Sequence, residues 1–325
     1  MSDAENKPPS PHQPLDAGVA REFTSANSDP ALPSSISHDD AAFSAPPPQG
    51  VLPGSLVYPH QPAAPEQRYA NLPPTLRVPW NWLTIIGLVV GTIVVGLMLS
   101  IAFGMVYAAL GHDPAKINPT SPSVGFVLVI IQAFLDVALL AVVLALVKWH
   151  YRLSAWSGLG WHPLPDGKTS RGSLTLGLIF TGIFLSFVVA AASQLFPSKT
   201  QLPVEQLMQD HRTAAAFMLM AVILAPVVEE TLFRGFLYPV AARTFGIPIG
   251  ILLTGALFGL LHGSQLGFNV GLIGLMTLVG CVLTWVRFKA DTVLASFIVH
   301  TAYNGIQVIG YVAVTHGLTK AIPHT

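Results

Sequence analysis

From Leu83 onward the chain is a succession of apolar runs, each close to the ~20 residues a helix needs to cross ~30 Å of hydrocarbon, separated by short polar punctuation. The runs occupy approximately residues 83 to 110, 124 to 148, 173 to 196, 213 to 242, 248 to 264, 267 to 286 and 292 to 314. With no water at that depth to serve the backbone, runs of this length must satisfy their own N–H and C=O groups as helices. The expected fold class is therefore all-α, a polytopic transmembrane helical bundle of about seven spans within a range of six to eight. The fifth run is the shortest and the fourth the longest, so their ends define that range. Composition agrees, since only 10% of the residues are charged, against roughly 25% in soluble domains.

Ahead of the runs, residues 1 to about 78 carry clusters such as Pro8-Pro9, Pro46-Pro47-Pro48 and Pro73-Pro74 among Ser, Ala, Asp and Gln. Such a segment has too little apolar surface to fold alone and reads as a disordered, proline-rich tail. The expected domains are this tail, 1–78, and a transmembrane domain, 79–325. Met1 to Lys7 is polar without an apolar core, so the first span, not a cleavable leader, is expected to target the chain. A net charge of zero gives no reason to expect a nucleic-acid partner. The single cysteine, Cys281, precludes an intrachain disulfide framework and reads as a small core hydrophobe.

Lysine and arginine orient the spans, because short cytoplasmic loops collect them. With seven spans one face gathers Arg68, Arg77, Lys148, Arg152, Lys168, Arg171, Arg243, Arg287 and Lys289, the other only Lys116, Lys199, Arg212 and Lys320. That bias predicts a multi-pass protein of the cell membrane with a cytoplasmic N-terminus. Trp80, Trp82, Trp149, Trp156, Trp161 and Trp285 fall beside the same face, where amphipathic rings prefer the interface.

Inside the fourth run stands Glu229-Glu230-Thr231-Leu232-Phe233-Arg234. Each ionisable group at a helix centre costs roughly 2.5–3.5 kcal/mol, so three in six residues must be paired or chemically employed. Glu230 and Arg234 are four apart with the acid first, the favourable order for an ion pair that neutralises and orients this helix. Glu229, one step round, is expected to point elsewhere and stay free. His262 and His300 lie inside later runs, and counting ~1.5 Å per residue places Glu229, His262 and His300 roughly 18, 21 and 13 Å from the cytoplasmic ends of their spans. His300 and Asn304, four apart, share a helix face.

A buried glutamate with two imidazoles is an enzyme-like inventory. Glu229 could take a proton from a water held by His262, while His300 and Asn304 stabilise the oxyanion formed at a carbonyl. The same Glu229, His262 and His300 could instead bind Zn²⁺ with one open position, although no HExxH helix is present. Both readings stand at this level. Pro226 could kink the fourth helix and admit water. Asp136 and Gln132 share a face of the second span, as partners for a neighbouring helix or part of a proton path. Gly255, Gly259 and Gly263 form a small-residue face expected to bring His262 next to the fourth helix.

Three motifs in order on successive runs, Glu229-Glu230-x-x-x-Arg234, Phe258-x-x-x-His262 and His300-x-x-x-Asn304, resemble the signature of the CPBP intramembrane proteases. That group includes type II CAAX prenyl endopeptidases and bacteriocin-processing or self-immunity proteins. The resemblance covers about residues 213–310. It implies an endopeptidase acting on a membrane-bound protein or peptide within the lipid bilayer, with Glu229 as general base, His262 as water-holding partner and His300 with Asn304 as oxyanion pocket. Phe258 would shape the pocket. A metalloprotease mechanism and a metal-free glutamate mechanism are both attributed to the family. Two other classes compete: a non-catalytic membrane scaffold or immunity protein that keeps the cluster for structure, and a proton-coupled transporter using Asp136 and Glu229.

Overall fold

The computed structural model describes residues 72–318 apart from 120, 168 and 199, and these form helices and turns without a strand. The expected tail lies outside the described residues except for 72–78. Seven helices carry the architecture: α1 (Trp82–Ala109), α2 (Pro122–Ala145), α3 (Arg171–Ser193), α4 (His211–Phe245), α5 (Ile247–Leu261), α6 (Val270–Ala290) and α7 (Val293–Val314). Six are long and apolar enough to cross a membrane, and α5 is the shorter apolar one.

Their starts follow from capping chemistry. Asn81, Ser170, Asp210, Asn269 and Thr292 each accept a backbone N–H of the following turn, ahead of α1, α3, α4, α6 and α7. The α6–α7 reversal is made by Asp291 in the left-handed region, φ 52°. α5 has 15 residues, about 22 Å of rise, which falls short of the ~30 Å hydrocarbon layer. It stops because Gly263, Ser264 and Gly267, the last at φ 59°, continue as turns. His262 therefore caps a helix end instead of standing within a full span.

Close approaches hold the later helices together. α5 and α6 run antiparallel: a Cβ on Gly280 would fall 2.8 Å from the Gly255 Cα, and one on Gly259 would strike Thr277. A Cβ on Gly182 in α3 would overlap the Val299 carbonyl of α7. The small face of α5 thus packs on α6, and the expectation that it would meet the fourth helix is corrected; Gly250, against Ala242, makes that contact. Gly263 lies beyond the helix.

α4 is not a uniform α-helix. Its backbone widens into π geometry at Met220–Leu224 and again at Glu230–Leu237. Each wide stretch ends two residues before a proline, Pro226 or Pro239. A helix-interior proline supplies no N–H and its ring crowds the preceding turn, and adding a residue to that turn relieves both.

Trp80 departs from the interfacial role expected of it. It is fully buried, stacks on Phe236 at 5.0 Å and donates its indole N–H to the Phe236 carbonyl at 2.8 Å. Arg243 donates to the carbonyls of Val78 and Trp80, fastening this segment to α4. Trp149 and Trp285 are exposed.

Candidate active site

The Glu230–Arg234 pair is formed, with Arg234 Nη1 donating to Glu230 Oε1 at 2.9 Å and both side chains wholly buried. Arg234 also donates through Nη2 to the Gly280 carbonyl of α6 at 3.0 Å, and its guanidinium lies 4.6 Å from the Phe258 ring centroid. Phe258 is a junction. Its ring meets His262 at 4.6 Å and His300 at 5.8 Å, edge-on to the latter.

His300 joins the two glutamates. Its Nδ1 is 2.8 Å from Glu230 Oε1, and its Nε2 is 3.8 Å from Glu229 Oε2. The expectation that Glu229 points away from its neighbour is thereby corrected: both carboxylates bracket one imidazole. The wide turn opening at Glu230 brings successive side chains closer in angle than an α-helix would, and a ring with nitrogens on opposite edges can meet both. Glu229 is the accessible member, its side chain 25% exposed, while its Oε2 has no hydrogen-bond partner.

Asn304 donates Nδ2 to the Ala221 carbonyl at 2.7 Å. In the wide turn the Ala225 N–H reaches back five residues to Met220. The equivalent donor for Ala221 would be residue 226, a proline. The carbonyl that Pro226 leaves unserved is the one that anchors Asn304.

His262 Nδ1 engages the Phe258 carbonyl at 2.8 Å, since side chains on a helix lean toward its N-terminus. The ring is therefore turned back toward Phe258. For Zn²⁺ the donors do not fit: among the described residues no group of three His, Cys, Asp or Glu side chains converges to hold a metal ion. His300 directs its two nitrogens at different carboxylates, and His262 commits Nδ1 to a carbonyl.

One participant was not foreseen. The turn after the short helix Ala155–Gly158 inserts beside the site, where Trp161 donates its indole N–H to Thr231 Oγ1 at 3.1 Å. Leu159 packs on Gly235, where a Cβ would fall 2.7 Å from the Leu159 carbonyl oxygen. Gly160, at φ 82°, lies against Arg287 and accepts the Val293 N–H at 2.9 Å. Gly158 and Gly160, closely spaced between Trp156 and Trp161, were the legible signal of a turn. Asp136 and Gln132 pair with each other, Nε2 to Oδ1 at 2.8 Å.

Residues 211–306 match the family model described as type II CAAX prenyl endopeptidase Rce1-like. No curated protein and no solved structure matches the chain. The matched segment contains Glu229, Glu230, Arg234, Phe258, His262, His300 and Asn304, and the match supports the resemblance to CPBP intramembrane proteases carried by their three motifs.

Proposed function

We propose that the protein is an integral-membrane endopeptidase that hydrolyses a peptide bond in a membrane-associated protein or peptide, with water activated by Glu229. The observation that carries the reading is the buried junction of Glu229, Glu230 and His300 from α4 and α7, enclosed by Phe258. Glu229 is the group suited to the base, being the partly accessible carboxylate with an uncommitted oxygen. Glu230 is consumed by Arg234 and His300.

In the proposed reaction Glu229 takes a proton from water, and the oxygen attacks the scissile carbonyl. His262 positions that water through Nε2, the nitrogen not spent on Phe258. Asn304 and His300 face the developing oxyanion, Asn304 through the amide hydrogen left after one is given to Ala221. The chain sits in the cell membrane with its N-terminus cytoplasmic, as the lysine and arginine bias supports.

The test compares membrane proteomes of cells carrying the wild-type chain and Glu229→Ala, which identifies precursors that accumulate, followed by cleavage assays on the purified protein. Glu229→Ala and His262→Ala should each lower turnover by about 10²–10⁴-fold while the protein stays folded in detergent. Undiminished cleavage by both variants would remove the proposal.

A further inference from the structure

His300 is held through Nδ1 to Glu230 Oε1 at 2.8 Å, and that same oxygen accepts from Arg234 Nη1 at 2.9 Å. The guanidinium cation buried against Glu230 favours the ionised carboxylate, an acceptor only, so the hydrogen in the Glu230–His300 contact sits on Nδ1. A neutral imidazole carries one N–H, and Nε2, the nitrogen facing Glu229 Oε2 at 3.8 Å, must then present a lone pair. A ring in this tautomer accepts a hydrogen bond there. It cannot donate one to an oxyanion until it has gained a proton.

We infer that Glu230 is a positioning residue that fixes His300 as a proton acceptor, and that His300 carries the hydrolytic proton from Glu229 to the leaving nitrogen. This rests on the proposed peptide hydrolysis. As the water oxygen bonds to the carbonyl carbon, its proton passes to Glu229 Oε2 and then to His300 Nε2. The gap of 3.8 Å closes on substrate binding or is bridged by one water. The imidazolium now donates through Nε2–H to the oxyanion. When the C–N bond breaks, the leaving nitrogen takes that proton, the C=O bond reforms, and Glu229 and His300 return to their starting forms.

Arg234 has a role in this scheme. The charged or titratable groups around His300 are Glu229, Glu230 and Arg234 from α4, His262 behind Phe258 on α5, Tyr303 on its own helix, and Asp136 on α2, which lies within electrostatic reach of Glu229. Two uncompensated carboxylates would trap the imidazolium as a permanent cation. The guanidinium offsets Glu230 and keeps the proton transferable.

Selective ¹⁵N labelling of histidine in the detergent-solubilised full chain reads the tautomer without any substrate, the His300 signal being the one absent from His300→Gln. The expected spectrum has Nδ1 protonated and Nε2 as an imine nitrogen. Glu230→Gln should mix the tautomers and lower kcat by about 10²–10⁴-fold with little change in KM. Should that variant misfold because Arg234 is stranded, His300→Gln against His300→Ala decides, since both keep Glu230 and Arg234 to compensate each other and lose the same Nδ1 contact. Glutamine donates permanently but carries no proton, so both should be equally impaired. A protonated Nε2 in the neutral ring, or His300→Gln exceeding His300→Ala by about 10²-fold as a plain oxyanion donor would, overturns the inference. Either result alongside Glu229-dependent cleavage leaves the hydrolase reading standing, whereas the expected tautomer with undiminished cleavage by Glu229→Ala removes that reading and the proton transfer together.

Discussion

α1 and α4 are both long apolar helices, and α1 is the more apolar of the two, yet they lead opposite lives. Within α1 only Ile85, near its start, is buried, and Gly87, Gly91, Gly96 and Gly104 have nothing within 4 Å of a would-be Cβ. α4 buries Val228, Glu230, Thr231, Phe233, Arg234 and Gly235 in succession around its polar pair. In lipid an apolar side chain gains little by leaving acyl chains for protein, so hydropathy places a helix in the membrane without telling it where to pack. Polar groups that need partners and small residues that admit neighbours do the placing.

The contrast breaks most decisively at Arg234. Arg234→Ala leaves the Glu230 charge buried beside His300 alone, and the expected loss is about 3–5 kcal/mol, read from the unfolding midpoint in detergent. Leu97→Ala in α1, at a side chain 60% exposed, should stay within about 0.5 kcal/mol. Comparable losses would mean that α1 is packed after all. The next effect belongs to glycine: Gly280→Ala forces its methyl against Gly255 and should cost about 1–3 kcal/mol by overpacking. Gly91→Ala, with open space around it, should be neutral or stabilising by up to about 1 kcal/mol through helix propensity.

This division explains what could be read before the fold was seen. Span positions were legible because hydrocarbon thickness dictates run length, and the Glu230–Arg234 contact because i,i+4 spacing survives even in a distorted helix. The convergence of Glu229 and Glu230 on His300 was not, since it depends on a π turn that a 3.6-residue period cannot express; Pro226 and Pro239 were its only local signs. The Gly255 and Gly259 spacing announced a close approach without naming α6 as partner, because glycine says that a neighbour fits and nothing about which. Trp80 and Trp161 looked interfacial by position, but each indole found an acceptor on α4, a tertiary fact invisible to composition.

The Ala221–Pro226–Asn304 arrangement gives a smaller effect. Asn304→Ala strands the Ala221 carbonyl and should cost about 1–3 kcal/mol. In a Pro226→Ala background residue 226 regains an N–H that can serve that carbonyl, so the same substitution should cost less. The double-mutant cycle should show about 1 kcal/mol of coupling. Strict additivity would mean that Asn304 is not compensating for the proline.

The smallest difference lies at the helix starts, where α1 and α4 are capped by different chemistry. Asp210 accepts from the Thr213 N–H at 2.9 Å and its hydroxyl at 2.8 Å, and these bonds hold its carboxyl below the usual range. Asn81 accepts the Thr84 N–H at 3.3 Å and does not titrate. Either residue changed to Ala should cost on the order of 1 kcal/mol at neutral pH. A depressed carboxyl stabilises the fold fully above its unfolded value, near about 4, and the contribution is lost as pH falls through the lower folded value. The gap between wild type and Asp210→Ala should therefore narrow below about pH 4, while the gap for Asn81→Ala stays flat across the same titration. Parallel pH profiles for the two variants would show that the charge on Asp210 adds nothing to the cap beyond what a neutral acceptor provides.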